Sequence, residues 1–495
     1  MKSPRYFIYR AEFVRERLSA RENMLGKCLQ ICFRVPYHRC RSYRFLCRRT
    51  VFDLQRRCQV TMANILEEPL HFPTSGRTAK NRFLKAALSE RLAQWDSLKS
   101  SSNGVPTERL INTYDKWGHG GWGIILTGNA IVDANHLEGA GNMIIEKSAD
   151  SPWRREAFKK LANAAKSDGA LVMVQLSHGG RQTPIAINEH PFSASDVRLT
   201  GGAMGANFGQ PIPLTTEQIK TEVVEKFAYA AKFCADVGFD GVELHAAHGY
   251  LLSQFLSPTT NKRTDEYGGS VENRMRIIGE VYEAIRKLVP KDFVIGIKLN
   301  SAEFQKDGLS TPDAATISVG LEKLGFDFIE LSGGTYERFE WRHLRESTVH
   351  REAYFIEFSE AIVKNLHKII VYLTGGFRTT RGMCDAIEKG ATNGIGIGRP
   401  STQEPDLAAK LTQGKTIAAV KTLIHPDDFT LALYAYQTQM GQMGNEPFSG
   451  DVCKGIMDLS DKQTVEKYTA VLKKYMQDWG ERMMKGEPMR GVCEF

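Results

Sequence analysis

Residues 239–250 read FDGVELHAAHGY, which places His245 and His248 three residues apart at the end of an apolar strand and Tyr250 two residues further on. A neutral imidazole donates one N–H, and two that converge can hold a single carbonyl oxygen. A phenol alongside can deliver a proton to the neighbouring carbon. This equipment suits reduction of a C=C bond conjugated to a carbonyl, with His245, His248 and Tyr250 as the catalytic and substrate-binding groups. Side chains do not donate hydride, so a redox cofactor is implied. The same residues allow two other readings. Glu243, His245 and His248 could ligate a divalent metal in a hydrolytic barrel, or the barrel could be catalytically silent and kept for binding. No further carboxylate or histidine stands at a neighbouring strand end to complete a metal site, and the intact triad argues against silence.

Positioning these groups requires a frame, and the chain alternates short β-rich runs with amphipathic helices, the mark of βα units and a parallel sheet. Eight candidate strands span 83–88, 122–128, 171–176, 241–244, 293–299, 326–331, 369–374 and 394–398. Thr215 and Gln218 have capping-box spacing ahead of Ile219, Val223, Phe227 and Ala231, one helical face. Further helices open at Ser270 and Pro312. No GxGxxG follows an early strand, so a closed (β/α)8 TIM barrel fits better than an open doubly wound sheet. Residues 181–214, rich in Gly, Pro, Ala and Asn, read as an insertion over the barrel mouth.

Active sites in such barrels lie at the C-terminal strand ends. Gly333 and Gly334, then Gly375, Gly376 and Phe377, then Gly398 and Arg399 close the last three strands. Glycine admits close backbone approach to a phosphate, and an arginine adds a charge-assisted fork. A phosphorylated cofactor is therefore expected across the mouth.

Composition bounds the rest. The chain has 495 residues and a net charge of +8, but residues 1–61 carry +11, leaving −3 for the remainder. The body thus offers no basic face for nucleic acid, and no apolar run approaches the ~20 residues needed to span a bilayer. Five of nine cysteines lie in the basic leader; Cys234, Cys384, Cys453 and Cys493 are scattered and read as buried thiols. The organisation expected is a leader over 1–61 (a transit peptide, a disordered arm, or sequence upstream of a start at Met62), a cofactor-binding barrel over 62–412, and a helical extension over 413–495. Localisation follows the leader: cytoplasmic, or mitochondrial if it is a transit peptide.

The stretches 80–89, 175–181, 245–258, 263–274 and 396–399 together resemble the Old Yellow Enzyme family of FMN-dependent NAD(P)H oxidoreductases and ene-reductases. The resemblance implies a non-covalent FMN, reduced by NADH or NADPH, that passes hydride to an unsaturated carbonyl compound in ping-pong fashion. It implies that Gln175 bonds the flavin pyrimidine edge, that Ser89 sits near the ring's reactive nitrogen, and that Ala87, Leu88 and Asn129 add contacts around the ring. Lys298 falls where the family usually has an arginine placing positive charge by the reduced flavin. Lysine keeps the charge but loses the rigid fork. The block 263–274 reads as mostly structural, and His178 as either structure or site. The partner implied is a small molecule, with homo-oligomerisation left open.

Overall fold

The computed structural model describes residues 64–98, 100–200, 207–335, 337, 355–425, 428–488 and 491–495. The expected leader lies outside them. Eight strands form the frame: β1 Phe83–Lys85, β2 Ile124–Ile131, β3 Leu171–Ser177, β4 Gly241–Ala246, β5 Val294–Asn300, β6 Phe328–Ser332, β7 Ile370–Thr374 and β8 Gly394–Ile397. Each pairs in parallel with the next, and β8 returns to β1, so the sheet closes as a (β/α)8 barrel. Nearly every strand residue is buried, because side chains face either the barrel lumen or the helices around it.

The helices used below are α1 Glu108–Gly118, α2 Pro152–Ala165, α3 Glu225–Asp236, α4 Leu251–Leu256, α5 Val271–Arg286, α6 Thr311–Leu324, α7 Ile356–Val363, α8 Thr380–Glu388, α9 Pro400–Gln403, α10 Leu407–Thr412, α11 Phe429–Gly444 and α12 Lys462–Met484. The Thr215–Gln218 capping box forms, and the turns over Ile219–Val224 widen to π geometry before α3 continues. Ser270 and Ser310 cap α5 and α6 through their hydroxyls. No described helix is long and apolar enough to cross a membrane.

Inside the barrel the lower lumen is apolar. Leu84, Ile124, Leu126, Met173, Val294, Phe328 and Tyr372 meet there, with Phe72 of an N-terminal hairpin (Leu70–His71 against Thr78–Ala79) packed onto them. The upper lumen is polar, which is where a site can form. The register of β2 slips between Leu126 and Asn129. Gly128 makes the slip possible, since a Cβ there would lie 2.0 Å from Glu90 Oε2.

The C-terminal helices dock on the barrel's outer face. Asn112 Nδ2 and Arg109 Nε of α1 donate to the Gly444 and Gly441 carbonyls of α11. Helix α12 packs on α11 through Tyr434 and Tyr475 and a Thr438–Tyr468 hydroxyl pair. Cys234, Cys384 and Cys493 are buried thiols, whereas Cys453 is half-buried, with Sγ 3.5 Å from Asp406 Oδ1. Its partial exposure departs from the expectation of a buried thiol.

Candidate active site

At the C-terminal mouth lies a cavity of about 260 Å³. Ala87, Leu88, Ser89, Asn129, Gln175, His245, His248, Tyr250 and Lys298 line it, together with Gly334, Gly375, Gly376, Phe377, Gly398 and Arg399. Residues from all eight strand ends, spread over more than 300 positions, therefore converge. Gly333 is the one nominated residue outside the wall. Its Cα packs on Phe355, where a Cβ would come within 2.7 Å of the ring, so close packing explains the glycine there.

The histidines are held by two serines. Ser177 Oγ lies 3.1 Å from His245 Nδ1, and Ser332 Oγ lies 3.0 Å from His248 Nε2. When both hydroxyls donate, His245 Nε2 and His248 Nδ1 carry the protons. These two nitrogens stand 3.3 Å apart at the cavity wall, so they present paired N–H groups to one acceptor. His248 takes a left-handed backbone, φ 58°, stabilised by the Asn300 side chain accepting from its N–H. That strained turn aims its ring back at His245. Tyr250 caps α4 and packs on His245 with ring centroids 4.4 Å apart. Burial, then His248, holds His245 well below the ordinary imidazole range; burial, then Lys298, brings His248 down to about 3. Both rings are therefore neutral donors near pH 7.

Beneath them lies a polar layer that joins the expected Lys298 and Gln175 to Glu243, Glu330 and Thr374, of which sequence reasoning missed Glu330 and Thr374. Lys298 Nζ pairs with Glu330 Oε1 at 2.7 Å, which also accepts from Thr374 Oγ1 at 2.6 Å. Gln175 Nε2 donates to Glu243 Oε2 at 2.7 Å. Burial, then Glu330, raises the Glu243 carboxyl well above its usual range. Glu330 is held low by Lys298 and by a hydrogen bond from Glu243, against the effect of its own burial. Glu243 Oε1 and Glu330 Oε2 have no other partner, and one proton on Glu243 satisfies both. The Lys298 charge at the cavity floor is thus paired with Glu330. The signal was present in the sequence, since a lysine and a glutamate stand in otherwise apolar adjacent strands and pair in register.

Ser89 Oγ donates to Glu138 Oε2 at 2.8 Å, and Asn129 Nδ2 donates to the same oxygen at 2.6 Å. Further missed contributors include Arg378 and, from α11, Phe429, Tyr436, Gln437 and Met440, which close one side of the cavity.

Glu243, His245 and His248 do not assemble as metal ligands. Among the described residues a three-ligand group forms at Asp133, His136 and His178. Its protons argue for a structural role. The Phe192 amide donates to His136 Nε2 at 2.9 Å and the Gly180 amide to His178 Nδ1 at 3.1 Å. The ring nitrogens facing Asp133 therefore bear hydrogen, and Lys226 adds an ammonium at 2.7 Å. His178 belongs to this anchor, stacked on His136, and not to the cavity wall. The 263–274 block is structural too: Arg263 pairs with Asp265 and bonds the Ala194 and Leu214 carbonyls, tying down the 181–214 insertion.

The residues present fit a flat ring with an anionic tail. Gly334, Gly375 and Gly376 adopt positive φ of 86°, 129° and 87°, which leaves their backbone open to the cavity. Arg378 and Arg399 stand beside them to meet a phosphate. The Gln175 amide and Lys298 lie deeper, towards the ring's place.

Comparison with known proteins points the same way. Residues 67–417 match the model of the NADH:flavin oxidoreductase / NADH oxidase family. The NADH-dependent flavin oxidoreductase nadA of Aspergillus parasiticus is 42% identical over 415 residues, covering 83% of this chain and 91% of that protein. The NADH-dependent flavin oxidoreductase iliE of Hypocrea jecorina is 33% identical over 348 residues, 67% of this chain and 84% of that protein. Among solved structures, an old yellow enzyme homologue from Zymomonas mobilis superposes with TM-score 0.60 at 22% identity, covering 79% of this chain and 99% of that one; this bears on the fold alone.

Proposed function

The chain belongs to the NADH:flavin oxidoreductase / NADH oxidase family, and from that premise we propose that it reduces activated C=C bonds of small unsaturated carbonyl compounds in two alternating half-reactions. FMN, held by Gln175, Lys298 and the glycine cradle, would supply the hydride chemistry between a nicotinamide coenzyme and the substrate carbon. The carrying observation is the pair of imidazole nitrogens 3.3 Å apart with the Tyr250 ring packed against one of them.

His245 Nε2–H and His248 Nδ1–H hold the substrate's carbonyl oxygen and stabilise the charge that builds on it during reduction. Ser177 and Ser332 keep the tautomers that make this possible. The Tyr250 hydroxyl delivers the proton to the α-carbon. Gln175, Lys298 and the glycine cradle hold the cofactor in register with these groups.

Tyr250→Phe is expected to slow enone reduction by about 10²-fold or more while flavin reduction by NADH stays near normal. Stopped-flow absorbance separates the half-reactions. Equal losses in both would remove the proton-donor role. The same instrument tests the function itself: NADH should bleach the flavin, and an enone should reoxidise it much faster than dissolved oxygen does.

Because both imidazoles are held neutral, affinity for a neutral carbonyl ligand is expected to be flat across the neutral range and to fall only as pH approaches 3. The sign for stability follows from linkage. Unfolded histidines bind protons near pH 6.5, whereas the folded rings resist protonation, so the unfolded state takes up more protons. The contribution is full above about pH 6.5 and is lost as pH falls towards about 3. Urea midpoints across that window check it; a midpoint that rises on acidification contradicts the assignment.

A further inference from the structure

A second cavity of about 390 Å³ adjoins the first and shares the wall residues Arg91, Glu138, Leu433 and Gln437 with it. Two structures outside the barrel build it. The 181–214 insertion contributes Gln182, Ile185 and Phe208, and the C-terminal helices contribute Tyr434, Trp479 and Met483. Gln182 leans on the catalytic turn: a Cβ at Gly249 would lie 2.5 Å from its Oε1. The second chamber thus begins beside the turn that carries His248 and Tyr250.

We propose that this chamber binds the far end of an extended, uncharged, ring-bearing substrate whose carbonyl is held by His245 and His248; the proposal rests on the enone-reduction reading above. Three observations define the ligand. The walls are aromatic and aliphatic, which favours a planar apolar body. Gln182 Nε2 and Trp479 Nε1 are buried donors without a partner, and Gln182 is only 2% exposed. Buried donors need acceptors, so the body carries an ether or carbonyl oxygen. The charged lining is acidic. Arg91 is paired with Glu138 at 3.3 Å, leaving Glu189 and Glu487 at the rim. Phosphates of a coenzyme-A thioester or of a dinucleotide's distal half are repelled there.

The test uses full-length, FMN-loaded protein with three enones: 2-cyclohexenone, which fits the first cavity alone; 4′-methoxychalcone, neutral and extended; and cinnamoyl-coenzyme A, extended and anionic. The wild type should show kcat/KM at least tenfold higher for the chalcone than for the thioester. Trp479→Ala should raise the chalcone KM about tenfold with kcat, and both constants for 2-cyclohexenone, unchanged. Trp479→Phe, which keeps a ring but removes the N–H, should raise it several-fold. An unchanged chalcone KM in both variants, or preference for the thioester, overturns the proposal. Binding of saturated 4′-methoxydihydrochalcone, read as a perturbation of the flavin spectrum, separates the two claims. Loss of its affinity in Trp479→Ala supports the chamber even if no enone is reduced, an outcome that sinks only the ene-reduction reading.

Discussion

Alanine at both His245 and His248 is expected to lower kcat/KM for an enone by roughly 10³-fold or more, with FMN still bound. Removing one donor from an oxyanion site typically costs about 10²–10³ in rate, and two donors on one oxygen act as a unit, so their losses do not simply add. The structure explains why the cofactor should stay. The cradle proposed for it, Gly334, Gly375, Gly376, Gln175 and Arg399, lies elsewhere on the cavity wall, and the Gln175 amide is held by Glu243. Phenols, which mimic an enolate oxygen, should lose affinity in parallel. Flavin absorbance after gel filtration and a phenol titration are the two measurements. Departure of FMN from the double variant would mean that the histidines serve cofactor architecture instead. Because His245 also packs on Tyr250, a thermal melt should accompany both, and an asparagine pair provides a gentler control.

The buried layer beneath the site yields the second large effect. Glu243→Gln and Glu330→Gln should each be tolerated, at about 1 kcal/mol, because the remaining glutamate can ionise and face Lys298. The double variant leaves Lys298 buried without any counter-charge, and losing the partner of a buried ion costs about 3–5 kcal/mol. The combined loss should therefore exceed the sum of the single losses, a coupling expected of neighbours that share one proton. Urea midpoints of the four proteins measure it. Additive losses would show that the two carboxyls do not substitute for one another. The double variant also uncovers positive charge at the cavity floor, so the midpoint potential of bound FMN should move upward, read by spectroelectrochemistry.

The frame was legible because it is periodic. All eight strands appear where apolar β-rich runs predicted them, with ends shifted by a few residues, as in β1, which ends at Lys85 rather than at 88. Caps at Thr215 and Ser270 were readable for the same reason: their hydrogen bonds span three residues. The wall of the site was legible because barrel topology sends consecutive strand ends to one mouth, so a residue's place along its strand already gives its place in the fold. Gly333 marks where that logic loosens, since adjacent residues at a strand end point in different directions.

What only the tertiary structure decided involves partners far apart in the chain. Glu330 meets Lys298 across a strand pair, and Glu243 reaches it across the lumen, so their shared proton has no local signature. The Gln437 amide approaches the Ser89 carbonyl over a separation of 348 residues, and nothing in the amphipathic pattern of α11 says which barrel face it covers. Periodicity records that a face is buried; it does not record what buries it, because packing partners are chosen by shape and charge after the chain has closed on itself. The amino-acid sequence alone thus determined the barrel and the His245–His248–Tyr250 turn, whereas the neutralised floor, the anchored insertion and the second chamber exist only once distant segments meet.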